Sequence, residues 1–338
     1  MSAKEFEGFA THRVAVHSQC LGKELEIFCR KRGSGPGLLL LHGFPQNNHI
    51  WHKVAARLSE QYTVVASDLR GMFPPLTNHW FGAGLGRRPT APNEHASDLT
   101  GSLGYGQSDK PAGSSPHDEY SKREMASDQV QLMKHFGMNS FFVVGHDRGG
   151  RVAHRMALDH PESVKKMMIL DIAPTLWMYD HTNMVFAKGY WHWFFLIQPS
   201  PGPENMIRAD PESFWALMSM RETHQNVVWS EADLNEYKTA YFNSDTIHST
   251  CEDYRAASTI DLEHDRADRA AGRRLKIQGV MVLWGGKGMI EKVGNAVNIW
   301  KEYSEDQVLV TGRALDCGHY IPEEKPEELL QEILGLMR

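Results

Sequence analysis

Phe141-Phe142-Val143-Val144-Gly145-His146-Asp147-Arg148-Gly149-Gly150-Arg151 is the stretch on which the fold turns. The apolar run 141–144 ends in Gly-x-Asp-x-Gly, and a helical pattern follows over 151–158. A short continuous apolar run between turn signals reads as a strand buried on both faces. Glycines on either side of one polar residue permit a tight strand-to-helix turn of the kind that exposes a nucleophile. Serine is the usual residue there; here it is Asp147. A serine alkoxide suits attack on a carbonyl carbon. A carboxylate suits displacement at a saturated carbon and leaves an ester on the protein. The expected chemistry therefore moves from esters and amides to carbon–halogen or epoxide bonds. Taken alone, the pentapeptide reads equally as a strand end followed by a helix-capping aspartate.

Further apolar runs at 25–29, 38–41, 63–66, 167–170 and 280–283 alternate with helical patterns such as 120–136 and 324–337. That alternation predicts an α/β protein with a mostly parallel sheet covered by helices on both faces. Ligands in such sheets bind beyond the carboxyl ends of the strands. No strand pattern occurs over 173–258, which is aromatic-rich, helical and broken by Pro199, Pro201, Pro203 and Pro211. The expected organisation is a core over 1–172, an inserted helical cap over 173–258, and the rest of the core over 259–338.

A length of 338 residues suits one large α/β domain with such an insertion. A hydrophobic content of 41% and a charged content of 23% are those of an ordinary soluble globular protein. The net charge of -6 gives no support to a nucleic-acid role. Residues 1–9 are polar and lack a signal-peptide core. The aromatic-apolar run 190–197 contains His192 and is too short to span a bilayer. Cys20, Cys29, Cys251 and Cys317 lie far apart, without metal or redox spacing, and there is no N-glycosylation sequon. A cytoplasmic protein with reduced thiols, no metal and no organic cofactor is expected.

Four positions converge on one mechanism. Asp147, Asp171, His319 and the turn His42-Gly43-Phe44-Pro45 each follow an apolar strand pattern. The chain order nucleophile, acid, histidine is that of a hydrolytic triad. Asp147 is the expected nucleophile. His319 would take a proton from the water that hydrolyses the ester, and Asp171 would orient the imidazole and stabilise its charged form. The backbone N–H groups of Phe44 and Arg148 would face the oxyanion formed in that step. The alternative position for the acid, after the next strand, is Trp284-Gly285-Gly286-Lys287-Gly288, which offers no carboxylate; Glu291 is the nearest.

Arg148 and Arg151 open the helix behind Asp147 on one face, three residues apart. Cations at a helix N-terminus oppose its dipole. Two of them suggest a bound carboxylate held by forked hydrogen bonds. The other reading is a pair of surface arginines with acidic partners.

These residues resemble the fluoroacetate (haloacetate) dehalogenases of the α/β-hydrolase superfamily. The resemblance runs from about Phe9 to the C-terminus, outside 72–104. Gly145-His146-Asp147-Arg148-Gly149-Gly150-Arg151 is similar to the family's nucleophile segment with its two carboxylate-binding arginines. Asp171, in Leu170-Asp171-Ile172-Ala173-Pro174, stands where the family's acid does, and Gly318-His319 resembles its base. The resemblance implies that His192, Trp193 and Tyr254 donate to the departing halide. An imidazole N–H, an indole N–H and a phenol O–H would supply the three donors that a poor leaving group needs. Without the resemblance, 190–197 reads as apolar cap core and Tyr254 as a common helix residue. The implied partners are a small halo-acid and water, with a homodimer as the implied assembly and no nucleic acid or membrane.

An epoxide hydrolase would share Asp147, Asp171 and His319 and use cap tyrosines to protonate the epoxide oxygen; Arg148 and Arg151 argue against it. A haloalkane dehalogenase would waste both arginines on a neutral substrate. A non-catalytic binding protein on the same fold would not need the full set of reactive residues.

Residues 72–104 are anomalous. Four prolines and five glycines fall in these 33 residues, without periodicity. Asp68-Leu69-Arg70-Gly71 and Tyr105-Gly106-Gln107-Ser108-Asp109-Lys110-Pro111, which the family joins directly, stand on either side of them. The segment reads as a translated retained intron, since Gly71-Met72-Phe73 can be encoded with the splice-donor hexamer GTATGT. The alternative is a lid loop in which His79, Trp80 and Phe81 face the cap.

Overall fold

The structure is a computed structural model that describes residues 6–71, 108–220 and 229–337. Its centre is an eight-stranded sheet: β1 (Ala10–Ser18), β2 (Lys23–Arg32), β3 (Gly37–Leu41), β4 (Thr63–Ser67), β5 (Phe141–His146), β6 (Val164–Leu170), β7 (Gly279–Gly285) and β8 (Leu309–Leu315). The strand order is β1-β2-β4-β3-β5-β6-β7-β8. β1 and β2 are antiparallel to their neighbours, and the rest run parallel.

The central strands are mostly apolar because both faces are covered. Side chains alternate between two cores, as the period of two requires. Leu39, Leu41, Val143, Met167, Ile169, Val280 and Val282 enter one core. Leu38, Leu40, Phe142, Val144, Met168, Leu170 and Leu283 enter the other. The first core is closed by α2 (Lys122–His135) and α3 (Arg148–Asp159), through residues such as Met133 and Met156. The second is closed by α1 (Ala55–Leu58) and, at the C-terminus, by a helix over Pro326–Leu336 carrying Leu329, Leu330 and Ile333.

Between β6 and β7 the described chain is helical: α4 (Thr175–Asp180), α5 (Met184–Gly189), α6 (Trp191–Leu196), α7 (Gly202–Ala209), α8 (Pro211–Met220), α9 (Glu231–Tyr241), α10 (Ser244–Ser258) and α11 (Ile260–Ala270). Trp193, Trp215, Tyr241 and Tyr254 from these helices continue the first core without a break. The remaining helices are α12 (Met289–Val293), α13 (Ala296–Glu302), α14 (Ile321–Glu324) and α15 (Pro326–Leu336). Among the described residues, no helix is long and apolar enough to cross a membrane.

The α/β-hydrolase fold expected from the sequence is the one observed. The pattern reading passed over β1 and most of β8, which are edge strands. β8 buries only Val310 and Leu315, so no apolar run marks it. The direction of the sheet reverses at β3, whose neighbours β4 and β5 lie on opposite sides. Beyond the carboxyl ends of β3, β5, β6 and β8 lie Phe44, Asp147, Asp171 and His319. The segment 72–104, with His79, Trp80 and Phe81, lies outside the described residues. Its flanks are joined: the N–H of Gly71 donates to the carbonyl of Asp109 at 3.1 Å.

Candidate active site

Asp147 closes β5 and caps α3 at φ +46° and ψ −115°, a conformation that L residues rarely adopt. Such a residue carries about 1–3 kcal/mol of strain and persists only where its surroundings over-determine it. They do so here by crowding. A Cβ on Gly145 would lie 2.5 Å from the carbonyl oxygen of Gly149, and one on Gly149 would lie 2.4 Å from that of His42. One on Gly43 would lie 2.4 Å from the Cβ of Asp147 itself. The Gly-x-Asp-x-Gly spacing is thus a packing requirement. The turn is pinned by the Asp147 N–H, which donates to the carbonyl of Leu170, and by the Asp147 carbonyl, which accepts from Gly150 and Arg151.

His319 lies between two carboxylates. Its Nδ1 is 2.6 Å from Oδ2 of Asp171, and its Nε2 is 3.4 Å from Oδ2 of Asp147. Asp171, also at positive φ (+55°), accepts a second bond from the N–H of Gly285 at 2.9 Å. The last residue of β7 therefore supplies a backbone donor to Asp171, and no carboxylate takes part there. Glu291 sits on α12 and accepts from the indole of Trp284, turned to a different partner. Burial pushes the Asp147 carboxyl up, but the hydrogen bond and charge of His319 and the charge of Arg151 outweigh it and hold it well below the usual carboxylate range. Asp147 is thus ionised at neutral pH. Its Oδ1 is buried and meets no hydrogen-bond partner among the described residues.

Two supports of His319 were not read from the sequence. His146 donates from Nε2 to the His319 carbonyl at 2.9 Å. Burial and the neighbouring His319 push its imidazole down to about 3, so it is a neutral prop. Glu324 accepts from the N–H groups of both Gly318 (2.7 Å) and Tyr320 (2.9 Å), clamping the loop around His319. The only sequence signal for either was its position beside a candidate residue.

Arg148 and Arg151 are buried, not surface residues, with 2% and 3% exposure. Arg148 Nε donates to Oδ2 of Asp253 at 2.5 Å and Nη2 to the Asp253 carbonyl at 2.8 Å, while Nη1 is buried and meets no partner among the described residues. Arg151 Nη1 donates to the carbonyl of Ala173 and the hydroxyl of Thr175, both at 3.0 Å. Its Nε is likewise buried and meets no partner among the described residues. The guanidinium of Arg148 stacks 4.2 Å from the ring centre of Tyr254, and that of Arg151 4.6 Å from Trp193. Two buried cations with unused donors next to an ionised carboxylate have the chemistry to hold a small anion.

The aromatic residues expected at the halide gather beside the same two arginines. Phe44, from the turn after β3, lies 6.2 Å from the His192 ring and 5.6 Å from the Tyr254 ring. His192 and Tyr254 are 5.6 Å apart, and Trp193 is 6.3 Å from Tyr254. His192, Trp193 and Tyr254 are all buried. The N–H groups of Phe44 and Arg148 are used by no backbone carbonyl among the described residues.

Two other groups of ligand-type side chains lie elsewhere, His49 with His52 and Asp233, and Glu204 with His248 and Glu252. Neither is built around an ion. The rings of His49 and His52 stack at 4.4 Å with 12° between their planes, so their in-plane lone pairs cannot meet at one centre. The guanidinium of Arg255 already sits between Glu204 (2.7 Å) and Glu252 (2.8 Å).

Comparison with known proteins places this geometry. A family described by the alpha/beta hydrolase fold matches residues 102–326. A fluoroacetate dehalogenase from Burkholderia sp is 38% identical over 335 residues, covering 98% of this chain and 95% of its own. A soluble epoxide hydrolase from Corynebacterium sp. (strain C12) is 30% identical, covering 94% of this chain and 96% of its own. Among solved structures, one from Nostoc sp PCC 7120 assigned to the α/β hydrolases superposes with a TM-score of 0.82 at 41% identity, covering 98% of this chain and 99% of its own. The chain belongs to the α/β-hydrolase family and, within it, to the fluoroacetate dehalogenase group.

Proposed function

We propose that the chain hydrolyses a small 2-halo acid, of the fluoroacetate or chloroacetate kind, to the 2-hydroxy acid through an ester on Asp147. The observation that carries the reading is the placement of two buried arginines with unused N–H groups beside an ionised, strained Asp147. Arg148 and Arg151 hold the substrate carboxylate, which sets the α-carbon against Oδ1 of Asp147. That oxygen attacks, the carbon–halogen bond breaks, and the halide leaves with the bonding pair. His192, Trp193 and Tyr254 donate to it in a chamber where buried rings exclude water. The helices over 173–258 act as the cap that brings these three residues down.

The second half regenerates the enzyme. His319 removes a proton from water, which adds to the ester carbonyl of Asp147. The oxyanion meets the N–H groups of Phe44 and Arg148. Collapse releases the hydroxy acid, and the proton leaves His319 for solvent. Asp171 keeps the ring oriented and balances its charge in between.

An epoxide hydrolase reading is favoured by one observation, the Tyr254 phenol at the chamber wall as a proton donor, together with the Corynebacterium relative. A neutral epoxide would leave Arg148 and Arg151 facing no anion, which is why the halo-acid ranks first. The deciding experiment measures halide release from fluoroacetate and chloroacetate beside diol formation from styrene oxide. Asp147→Asn is the control. Diol without halide would sink the proposal, as would halide release that survives in the variant.

A further inference from the structure

We infer that Asp253 is a positioning residue for substrate binding: its carboxylate and its carbonyl hold the guanidinium of Arg148 so that the remaining N–H edge faces the anion site. The inference rests on the halo-acid reading of that site. Three contacts carry it. Arg148 Nε meets Oδ2 of Asp253, Arg148 Nη2 meets its carbonyl oxygen, and Lys122 of α2 reaches the other carboxylate oxygen. Lys122 and Asp253 are themselves buried. Three of the donors on Arg148 Nη1 and Nη2 remain after these bonds, and Nη1 has no partner among the described residues.

The arrangement divides the work between the arginines. Among the described residues, Arg151 is held by neutral acceptors, a carbonyl and a hydroxyl. Its charge is therefore not cancelled by a contacting carboxylate. Arg148 is charge-compensated by Asp253, and what it offers is a fixed direction. A planar guanidinium gains its value at a carboxylate from pre-set fork geometry, so a device that locks one edge improves the other. The same turn of α10 carries Tyr254, whose ring lies against the face of that guanidinium. Adjacent residues thus fix the arginine in its plane and from above. The carboxylate end of the substrate and one wall of the leaving-group end are set by a single helical turn.

Lys122 explains why the pair tolerates burial. Burial pushes the Asp253 carboxyl up, and the charges of Arg148 and Lys122 outweigh it and pull it below the usual range. Lys122 also places its Nζ 3.6 Å from Asp261, and its own N–H donates to Oδ1 of Asp261 at 2.8 Å.

The test compares Asp253→Asn with the double variant Lys122→Met/Asp253→Asn. The double variant removes one charge of each sign and so keeps the balance if the single variant folds poorly. Two readouts are taken: kcat and KM with chloroacetate, and binding of glycolate followed by thermal shift or calorimetry. The expected result is a KM and a glycolate Kd raised at least tenfold, with kcat falling by a smaller factor. A folded variant that keeps wild-type KM and glycolate Kd overturns the inference, as does one that loses kcat and thermal stability alone. Failure of the underlying reading looks different. There the wild type releases no halide, and if it still binds glycolate in an Asp253-dependent way, the alignment role stands without the reaction. If the wild type binds no glycolate either, both fall.

Discussion

Nε2 of His319 lies 3.4 Å from Oδ2 of Asp147, on the opposite side of the ring from its 2.6 Å contact with Asp171. That places the imidazole beside the carboxylate that would become the ester, where, in the proposed mechanism, it acts on water and not in the first displacement. Replacing His319 by Ala should therefore separate the two half-reactions. The variant should release one halide per site from chloroacetate, stop, and gain one carboxymethyl group on Asp147 by mass spectrometry. Steady turnover should fall by at least about 100-fold, the usual contribution of a general base. Continued turnover without an accumulated adduct would remove His319 from this role.

Among the described residues, Arg151 donates to neutral acceptors, the Ala173 carbonyl and the Thr175 hydroxyl. Arg151→Met should raise KM for chloroacetate by about tenfold to 100-fold, the range for losing a charge-assisted contact of 1.5–3 kcal/mol. Chloroacetamide, which carries no anion, should show no such change. If both substrates lose equally, Arg151 supports the fold of the chamber and does not read the carboxylate.

Gly145 tests the elbow by sterics alone. A Cβ there would fall 2.5 Å from the Gly149 oxygen and 2.6 Å from the Gly150 Cα, both backbone atoms that cannot swing aside. Gly145→Ala should cost about 3 kcal/mol or more, since overpacking against fixed backbone sits at the high end of core substitutions. Chemical denaturation reads this directly. A loss below about 1 kcal/mol would mean that the turn has slack.

The elbow was legible because its requirement is local. Gly145, Asp147 and Gly149 lie within five residues, and the strand before them is apolar for a reason that pattern reading captures. Asp171 and His319 were legible from their positions after strands, although β8 itself was not. Its face toward solvent carries polar side chains, so only Val310 and Leu315 report the core. Asp253, Lys122, His146 and Glu324 were not legible. The first three act across long sequence separations, Asp253 meeting Arg148 from 105 positions away, while Glu324 turns back on its own loop to Gly318 and Tyr320. A charged residue on a helix is ordinarily solvated, and nothing in Glu252-Asp253-Tyr254-Arg255 says which of its charges turns inward. Only the packing of α10 on α2 and α3 decides that.

Glu323 supplies a pH signature independent of turnover. It is buried on α14 and accepts from Gln46 Nε2 (2.5 Å), Trp229 Nε1 (2.8 Å) and Tyr237 OH (2.6 Å). Burial pushes its carboxyl up to about 7 from an ordinary 4.5, against the lowering effect of those donors. The folded state therefore holds the proton more tightly than the unfolded chain. That contribution is fully present below pH 4.5 and is lost as pH rises toward 7, amounting to roughly 3 kcal/mol over the window. Glu323→Gln should remove one proton's worth of slope from the stability profile between pH 4.5 and 7. Urea midpoints across that range decide it, and an unchanged slope would place the Glu323 pKa near its unfolded value.

The segment 72–104 can be tested through its flanks. Gly71 donates to the Asp109 carbonyl at 3.1 Å, and the Asp109 N–H donates to Glu26 of β2 at 2.9 Å. Ser108 Oγ accepts from Phe28 at 3.0 Å and donates to the Asp68 carbonyl at 3.1 Å. The two ends are already side by side, and Tyr105-Gly106-Gln107 suffices to link them, since three residues reach about 10 Å. Deleting 72–104 should leave the fold intact and lower the closure entropy by about 2 kcal/mol, which raises Tm by several degrees. The effect on the site has a physical route. A Cβ on Gly71 would lie 2.5 Å from the Tyr120 ring and 3.0 Å from Ser249, so this flank rests on α10 one turn before Asp253. Relieving that flank should leave glycolate binding as tight as in the full chain or tighter. A transcript lacking the segment would support its origin as a retained intron. A deletion variant that folds but loses kcat would show instead that 72–104 is a working part of the enzyme.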